Sequence, residues 1–284
     1  MTVHAGFATP GIATKQVPTQ SPTSQLEELA KTVTVKVIRQ DGVWGSGIIV
    51  QQQDSSYIVL TNEHVVKNGQ LYTIEHHNGQ KYQAQLLQTA NFNGNDLALL
   101  KFESAASYEV ASLKHSSSLK ENEEVFMAGY PLDFKESDAR GFSFRSGRIT
   151  FLGMDRPLKG GYQLGTSHQI QKGMSGGPLL NSQGNVVGIN GRHMPLWGPS
   201  CPYEYQDGSL ACDALPEPRP LSWTIPIETF VFQASESLGI SLPRPGELRI
   251  ENWKQEYNST TNNEAQLQNT RTGFRYSFRI FGYK

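Results

Sequence analysis

Ser175 stands in the stretch "QKGMSGGPLL", where three glycines and a proline surround one hydroxyl. A serine hydroxyl is a poor nucleophile. It attacks a carbonyl only when a base takes its proton and fixed donors stabilise the oxyanion that forms. Backbone N–H groups suit the second task, because they are rigid and do not titrate. Two of them converge on one point only if the chain turns tightly before the serine, and glycine permits that turn. Gly173 and Ser175 are therefore the candidate oxyanion donors. Gly176 and Gly177 would remove side-chain bulk where a substrate backbone approaches. Taken alone, the motif fits a glycine-rich hairpin with an incidental serine equally well.

The base and its orienting acid must lie elsewhere. The G-x-S-x-G elbow of parallel-sheet hydrolases requires an acid and then a histidine after the serine. Here the only later histidine is His193, and Asp207 and Asp213 follow it, so the order is wrong. Upstream, His64 lies in "IVLTNEHVV", just past an apolar run, where a turn could present its ring. Asp96 lies in "NGNDLALLKF", at the opening of another apolar run. A carboxylate beside buried surface is costly unless it is hydrogen-bonded, and an imidazolium partner would offset that cost. Each residue alone has a plain reading as a turn or surface group, and the case rests on the three together. His76, His77 and His115 sit in polar surroundings and read as solvated.

The elements that must position these residues are mostly strands. After a leader rich in Thr, Pro and Gln, "SQLEELAK" predicts a short helix with Ser24 and Glu27 spaced as a capping box. "TVTVKVI" then alternates, with Val33, Val35 and Val37 on one face. Ten more short apolar runs follow, mostly separated by Gly, Asn, Asp or Pro, from "GSGIIV" to "LSWTIPI". Many short strands with turn signals and no βαβ rhythm predict an antiparallel barrel or sandwich. "PIETFVFQASESLGI" predicts one late helix, with Ile227, Phe230, Val231, Ala234 and Leu238 at helical spacing and Gly239 where it would stop. Domain boundaries are expected at 1–23 for the leader, 24–240 for the main domain and 241–284 for a C-terminal extension. The last segment, "FRYSFRIFGYK", alternates again. It would dock as an extra strand or serve as an edge strand that binds a protein partner.

Composition narrows the classes. The chain has 284 residues, enough for a sizeable core, and a formal net charge of -1. That balance points to neither nucleic acid nor an anionic membrane. No apolar run approaches the length of a membrane span, and the first residues lack the charged-then-apolar pattern of a secretory signal. The compartment stays open between cytoplasmic and periplasmic or secreted. Cys201 and Cys212 flank a polar segment with an Asp-Gly turn; a disulfide and two free thiols both fit. No further Cys or His sits at ligand spacing, so neither a metal nor another cofactor is expected.

"TNEHVV", "NDLALL" and "GMSGGPLL", in this order, resemble the trypsin/chymotrypsin-fold serine endopeptidases, and most of all their bacterial Deg/HtrA-like branch. "GSGIIV", "AGYP", "GNVVGIN" and "SWTIPIETF" add to the likeness, which runs from about Thr32 to Gly239 and is similar to cyanobacterial trypsin-like peptidases. The resemblance implies two packed six-stranded antiparallel barrels with the site in the cleft between them. It implies His64 as general base, Asp96 as its orienting acid, Ser175 as nucleophile, and Gly173 and Ser175 as oxyanion donors, acting on a polypeptide through an acyl-enzyme. A latent or pseudoprotease binding module is the alternative. Met174 replaces the aspartate that digestive members use in zymogen activation, so that device is not expected. Glu63 puts a charge beside the histidine. No PDZ-like module is expected after the domain. The pocket floor would be Gln169, six residues before the serine, and neutral, which predicts a small or medium uncharged residue before the scissile bond. The positions that carry glutamate specificity in one branch hold Ile170 and Asn190, with Gly191 adjoining. His168 and His193 lie near the walls and read as solvated loop residues.

Overall fold

A computed structural model describes residues 21–87, 92–133, 138, 141–153, 156–193, 203–215 and 222–239, without the side chains of 214 and 235–237. Most of the expected leader, Cys201 and the expected C-terminal extension with its alternating segment lie outside the described residues.

The alternating runs form twelve strands in two closed antiparallel barrels. The first barrel contains β1 (Thr34–Arg39), β2 (Trp44–Gln53), β3 (Ser56–Thr61), β4 (Tyr72–His76), β5 (Lys81–Leu86) and β6 (Ala98–Glu103), in the order β1-β2-β3-β6-β5-β4. The second contains β7 (Glu124–Gly129), β8 (Ser143–Leu152), β9 (Leu164–Thr166), β10 (Pro178–Leu180), β11 (Val186–His193) and β12 (Ser222–Pro226), in the order β10-β11-β12-β9-β8-β7. Closure through β1–β4 and through β10–β7 leaves neither sheet with an open edge.

Period-two alternation explains how the barrels pack. On β2 and β3, Ile49 and Val59 join Val35, Val37, Leu100 and Phe102 inside the first barrel. Their neighbours Ile48 and Leu60 point the other way, into a second cluster with Phe126, Leu180, Ile189 and Trp223 of the second barrel. Strands buried on both faces are therefore what join the barrels. Truncating Leu60, which is fully buried, to alanine removes contacts on that seam and costs about 2–5 kcal/mol.

Three helices flank the sheets. α1 (Pro22–Val33) begins earlier than the sequence suggests. Its N-cap is Ser21, whose hydroxyl accepts from the Ser24 N–H at 3.2 Å, and Pro22 follows with φ preset for a first turn. Ser24 is thus inside the helix, and Val33 is its last residue rather than part of β1. α2 (Glu63–Val66) is a single turn after β3. α3 (Ile227–Leu238) buries Ile227, Phe230, Val231 and Ala234, as its spacing predicts, and is followed by Gly239 at φ +64°. No helix among the described residues is long and apolar enough to cross a membrane.

Candidate active site

A cleft of about 600 Å³ brings together His64, Asp96 and Ser175, from α2, the turn before β6, and the turn before β10. Asp96 is fixed from three directions. Its N–H donates to the Gly160 carbonyl at 2.9 Å, its own carbonyl accepts from Asn62 Nδ2 at 2.8 Å, and its carboxylate faces α2. The one-turn helix presents two donors of His64 to that carboxylate. The backbone N–H reaches Oδ1 at 2.9 Å, and ring Nδ1 lies 2.6 Å from Oδ2. Burial pushes the Asp96 carboxyl up, but the bonds from His64 and Tyr162 outweigh it and hold the group below the usual carboxylate range. An ionised carboxylate can only accept, so ring Nδ1 carries a proton, and in the neutral tautomer the lone pair is on Nε2. That side chain is 46% exposed and lines the cleft.

Tyr162 makes a contact to the candidate site that sequence reasoning does not find. Its hydroxyl donates to Asp96 Oδ2 at 2.5 Å. Burial, reinforced by the neighbouring Asp96 charge, holds the phenol well above its ordinary pKa of 10.0, so it remains a donor. Gly191 makes room for it, because a methyl group there would run into the phenol oxygen and ring. The tyrosine is a lone aromatic between two short strands, and no periodicity or motif marks it.

The Ser175 turn is shaped by glycines under constraint. Gly173 has φ +95°, and a Cβ there would collide with the Tyr130 carbonyl and come 3.0 Å from Leu132 N. Gly176 has φ +87° and would strike the Ser46 carbonyl and Thr61 Oγ1. Ser46, from β2 of the first barrel, ties the turn down: its N–H donates to the Ser175 carbonyl and its hydroxyl to the Gly173 carbonyl, both at 2.8 Å. With those carbonyls held away, the N–H groups of Gly173 and Ser175 have no acceptor among the described residues. The Ser175 hydroxyl donates to the Gly191 carbonyl at 3.2 Å, and not to His64.

The expected pocket residues divide. Ile170 and Gly191 line the cleft. Gln169 does not; the chain alternates there, burying His168 and Ile170 and leaving Gln169 exposed. Asn190 is fully buried behind the wall, where its amide donates to the Pro178 carbonyl at 2.7 Å and its oxygen accepts from Thr224 Oγ1 at 3.2 Å.

Two histidines read as solvated are buried. His168 is 4% exposed, its Nε2 is 3.1 Å from the Arg145 carbonyl, and burial drives its pKa down to about 4. His76 bonds the Thr32 carbonyl at 3.0 Å and is likewise lowered by burial. His193 is exposed at the cleft rim. Cys212 is disulfide-bonded, and Cys201 lies outside the described residues. Among the described residues, no group of three or more His, Cys, Asp or Glu side chains is placed to hold a metal.

Comparison with known proteins gives this geometry a family. The family model for the trypsin-like peptidase domain matches residues 45–189, just over half of the chain. The chain belongs to the trypsin-like peptidase domain family. That match takes in the segments carrying His64, Asp96 and Ser175. The trypsin-like domain is 32% identical over 148 residues to the serine protease Do-like HtrB of Bacillus subtilis, covering 51% of this chain and 32% of the relative. It is 31% identical over 156 residues to human serine protease HTRA4, covering 51% of this chain and 29% of that one. The chain thus spans about a third of the length of these relatives. In fold, the trypsin-like domain is similar to the serine endoprotease from Yersinia pestis, with a TM-score of 0.54 and 24% identity over 78% of this chain and 68% of that one. It is also similar to the HtrA-type protease AlgW with tripeptide, with a TM-score of 0.56 and 20% identity over 78% and 65%.

Proposed function

We propose that this protein is a serine endopeptidase that cleaves polypeptides through an acyl-enzyme on Ser175, and that residues 24–240 carry the activity. The observation that carries the reading is the 2.6 Å contact between His64 Nδ1 and Asp96 Oδ2, which leaves a free Nε2 base in the cleft that holds Ser175.

The chemistry follows from those atoms. The Ser175 hydroxyl turns from the Gly191 carbonyl toward His64 Nε2. Nε2 accepts the proton as Oγ bonds to the scissile carbonyl carbon, and the carbonyl electron pair moves onto its oxygen. The N–H groups of Gly173 and Ser175 stabilise that oxyanion. The Asp96 carboxylate stabilises the imidazolium, which is why it must remain ionised. When the oxyanion collapses, the C–N bond breaks and His64 gives its proton to the leaving amine. A water then loses a proton to His64 as it attacks the ester carbonyl; the Oγ–carbon bond breaks, the acid product leaves, and His64 returns the proton to Ser175 Oγ. No step requires a metal or organic cofactor.

A latent cleft is the second reading, and the Ser175–Gly191 hydrogen bond favours it over a fully assembled resting site. A fluorophosphonate probe decides between them. Rapid labelling of Ser175, located by peptide mass spectrometry and lost in His64→Ala, is the expected result. No adduct would overturn the assignment of an accessible nucleophile and leave the latent reading.

A further inference from the structure

The cleft differs in charge from the chain that builds it. The whole sequence carries a net charge of -1. The described cleft lining carries Lys67, Lys159, Lys172 and Arg192 against the carboxylates of Glu63 and Asp96. Two of these are already engaged. Asp96 is committed to His64 and Tyr162, and Lys159 pairs with Glu204 at 3.2 Å. The ion pairs among the described residues include none of Lys67, Lys172 and Arg192. Three cations without an ion-pair partner among the described residues therefore face two carboxylates, Glu63 and Asp96, the second held by hydrogen bonds that orient its charge without cancelling it.

Along the chain they adjoin the residues of the candidate site. Lys172 immediately precedes Gly173 in the serine turn. Arg192 immediately follows Gly191, whose carbonyl lies 3.2 Å from Ser175 Oγ. Lys67 closes the far end of α2, beyond His64. The surface next to the serine itself, Ile170 and Gly191, is uncharged. Like-signed charges in a concave, low-dielectric cleft focus their field and concentrate ligands of the opposite sign.

We infer that the cleft recognises polypeptide segments in which an uncharged residue at the scissile bond is flanked by Asp or Glu. Cleavage of such segments rests on the endopeptidase reading; binding does not. Gln169, exposed beside the cleft rather than in it, has no part in setting this preference.

The test uses three internally quenched peptides with one uncharged core and flanks of Glu, Gln or Lys. Each exposed ion pair is weak and screened by salt. Their sum predicts kcat/KM roughly tenfold higher for the Glu-flanked peptide than for the Gln-flanked one, with the Lys-flanked peptide slowest. The spread should collapse to about twofold near 1 M salt, where the Debye length is roughly 3 Å. The pair Lys172→Ala and Arg192→Ala should abolish the preference, and Lys114→Ala, in a separate surface depression, should leave the ratio unchanged. Equal rates, or a preference for Lys flanks, would overturn the inference. If no peptide is cleaved, the endopeptidase reading fails, and binding of the same peptides to Ser175→Ala, read by fluorescence anisotropy, decides separately. Tightest, salt-sensitive binding of the Glu peptide supports the inference. Equal binding or none overturns it, as does equally strong displacement by single-stranded DNA, which would mark a general polyanion site.

Discussion

Tyr162 and His64 share one oxygen: the phenol hydroxyl lies 2.5 Å and the imidazole Nδ1 2.6 Å from Asp96 Oδ2. The first partner belongs to the second barrel and the other to the first, so the carboxylate is oriented from both sides of the cleft. Removing only the hydroxyl, in Tyr162→Phe, takes one charge-assisted bond from a buried carboxylate, a loss of about 1.5–3 kcal/mol. If about half of that is felt in the transition state, kcat falls roughly four- to twelvefold with KM within about twofold. Steady-state kinetics alongside thermal unfolding checks this. An unchanged kcat in a variant that has lost stability would reduce Tyr162 to a packing role.

Asp96→Asn tests the tautomer. An amide can turn its NH2 toward His64 Nδ1, which would then have to accept, moving the ring proton to Nε2 and removing the base. Loss of kcat on the order of 10⁴-fold is expected, with the fold retained. Near-normal turnover would mean that another acid orients His64.

Gly173→Ala should fail twice. The backbone at φ +95° is strained for any L side chain, and the methyl meets the Tyr130 carbonyl. We expect a stability loss of about 1–3 kcal/mol and, through displacement of an oxyanion donor, a fall in kcat of about 10²-fold or more. A variant that keeps full activity would remove the Gly173 N–H from the oxyanion site.

His168 makes the second barrel acid-sensitive. Its native pKa is about 4, against 6.5 for the unperturbed group. Above pH 6.5 both folded and unfolded states are neutral there and the residue contributes no pH dependence. As pH falls from 6.5 toward 4 the unfolded chain takes a proton that the folded one refuses, so stability drops by about 3 kcal/mol across that window. Denaturant unfolding at several pH values should show this decline, and His168→Gln should flatten it. An equally steep decline in the variant would assign the effect elsewhere.

Much of this was legible in the sequence because it is written locally. Alternation in "TVKVI" and the apolar run in "SYIVLT" give strands, and the number of such runs gives an antiparallel barrel or sandwich; two barrels are what the resemblance of the motifs implies. "GMSGGP" announces a tight turn, because its glycines answer to the backbone itself. What escaped depends on distant neighbours. Tyr162 matters only because Gly191 leaves space beside Asp96. His76 and His168 sit in polar-looking stretches and are buried by strands far away in sequence. The cap at Ser21 escapes because Ser24, and not Ser21, has a glutamate three residues on as a capping box requires. Gln169 was counted six residues back from the serine; whether a side chain faces a cleft depends on the pleat.

Ser46 gives the site a property that neither half of the chain has alone. It lies on the first barrel, yet its N–H and hydroxyl hold the carbonyls of Ser175 and Gly173, its oxygen accepts from the Tyr130 N–H at 2.9 Å, and its own carbonyl is held by Thr61 at 2.7 Å. The turn that carries Ser175 is thus held from both lobes, by Ser46 of the first and by the Gly176–Asn190 and Gly177–Asn190 backbone bonds of the second. A fragment carrying only the second lobe keeps Ser175 but loses the two hydrogen bonds by which Ser46 holds its carbonyl and that of Gly173, so the proposed endopeptidase reading expects activity only where both lobes are joined.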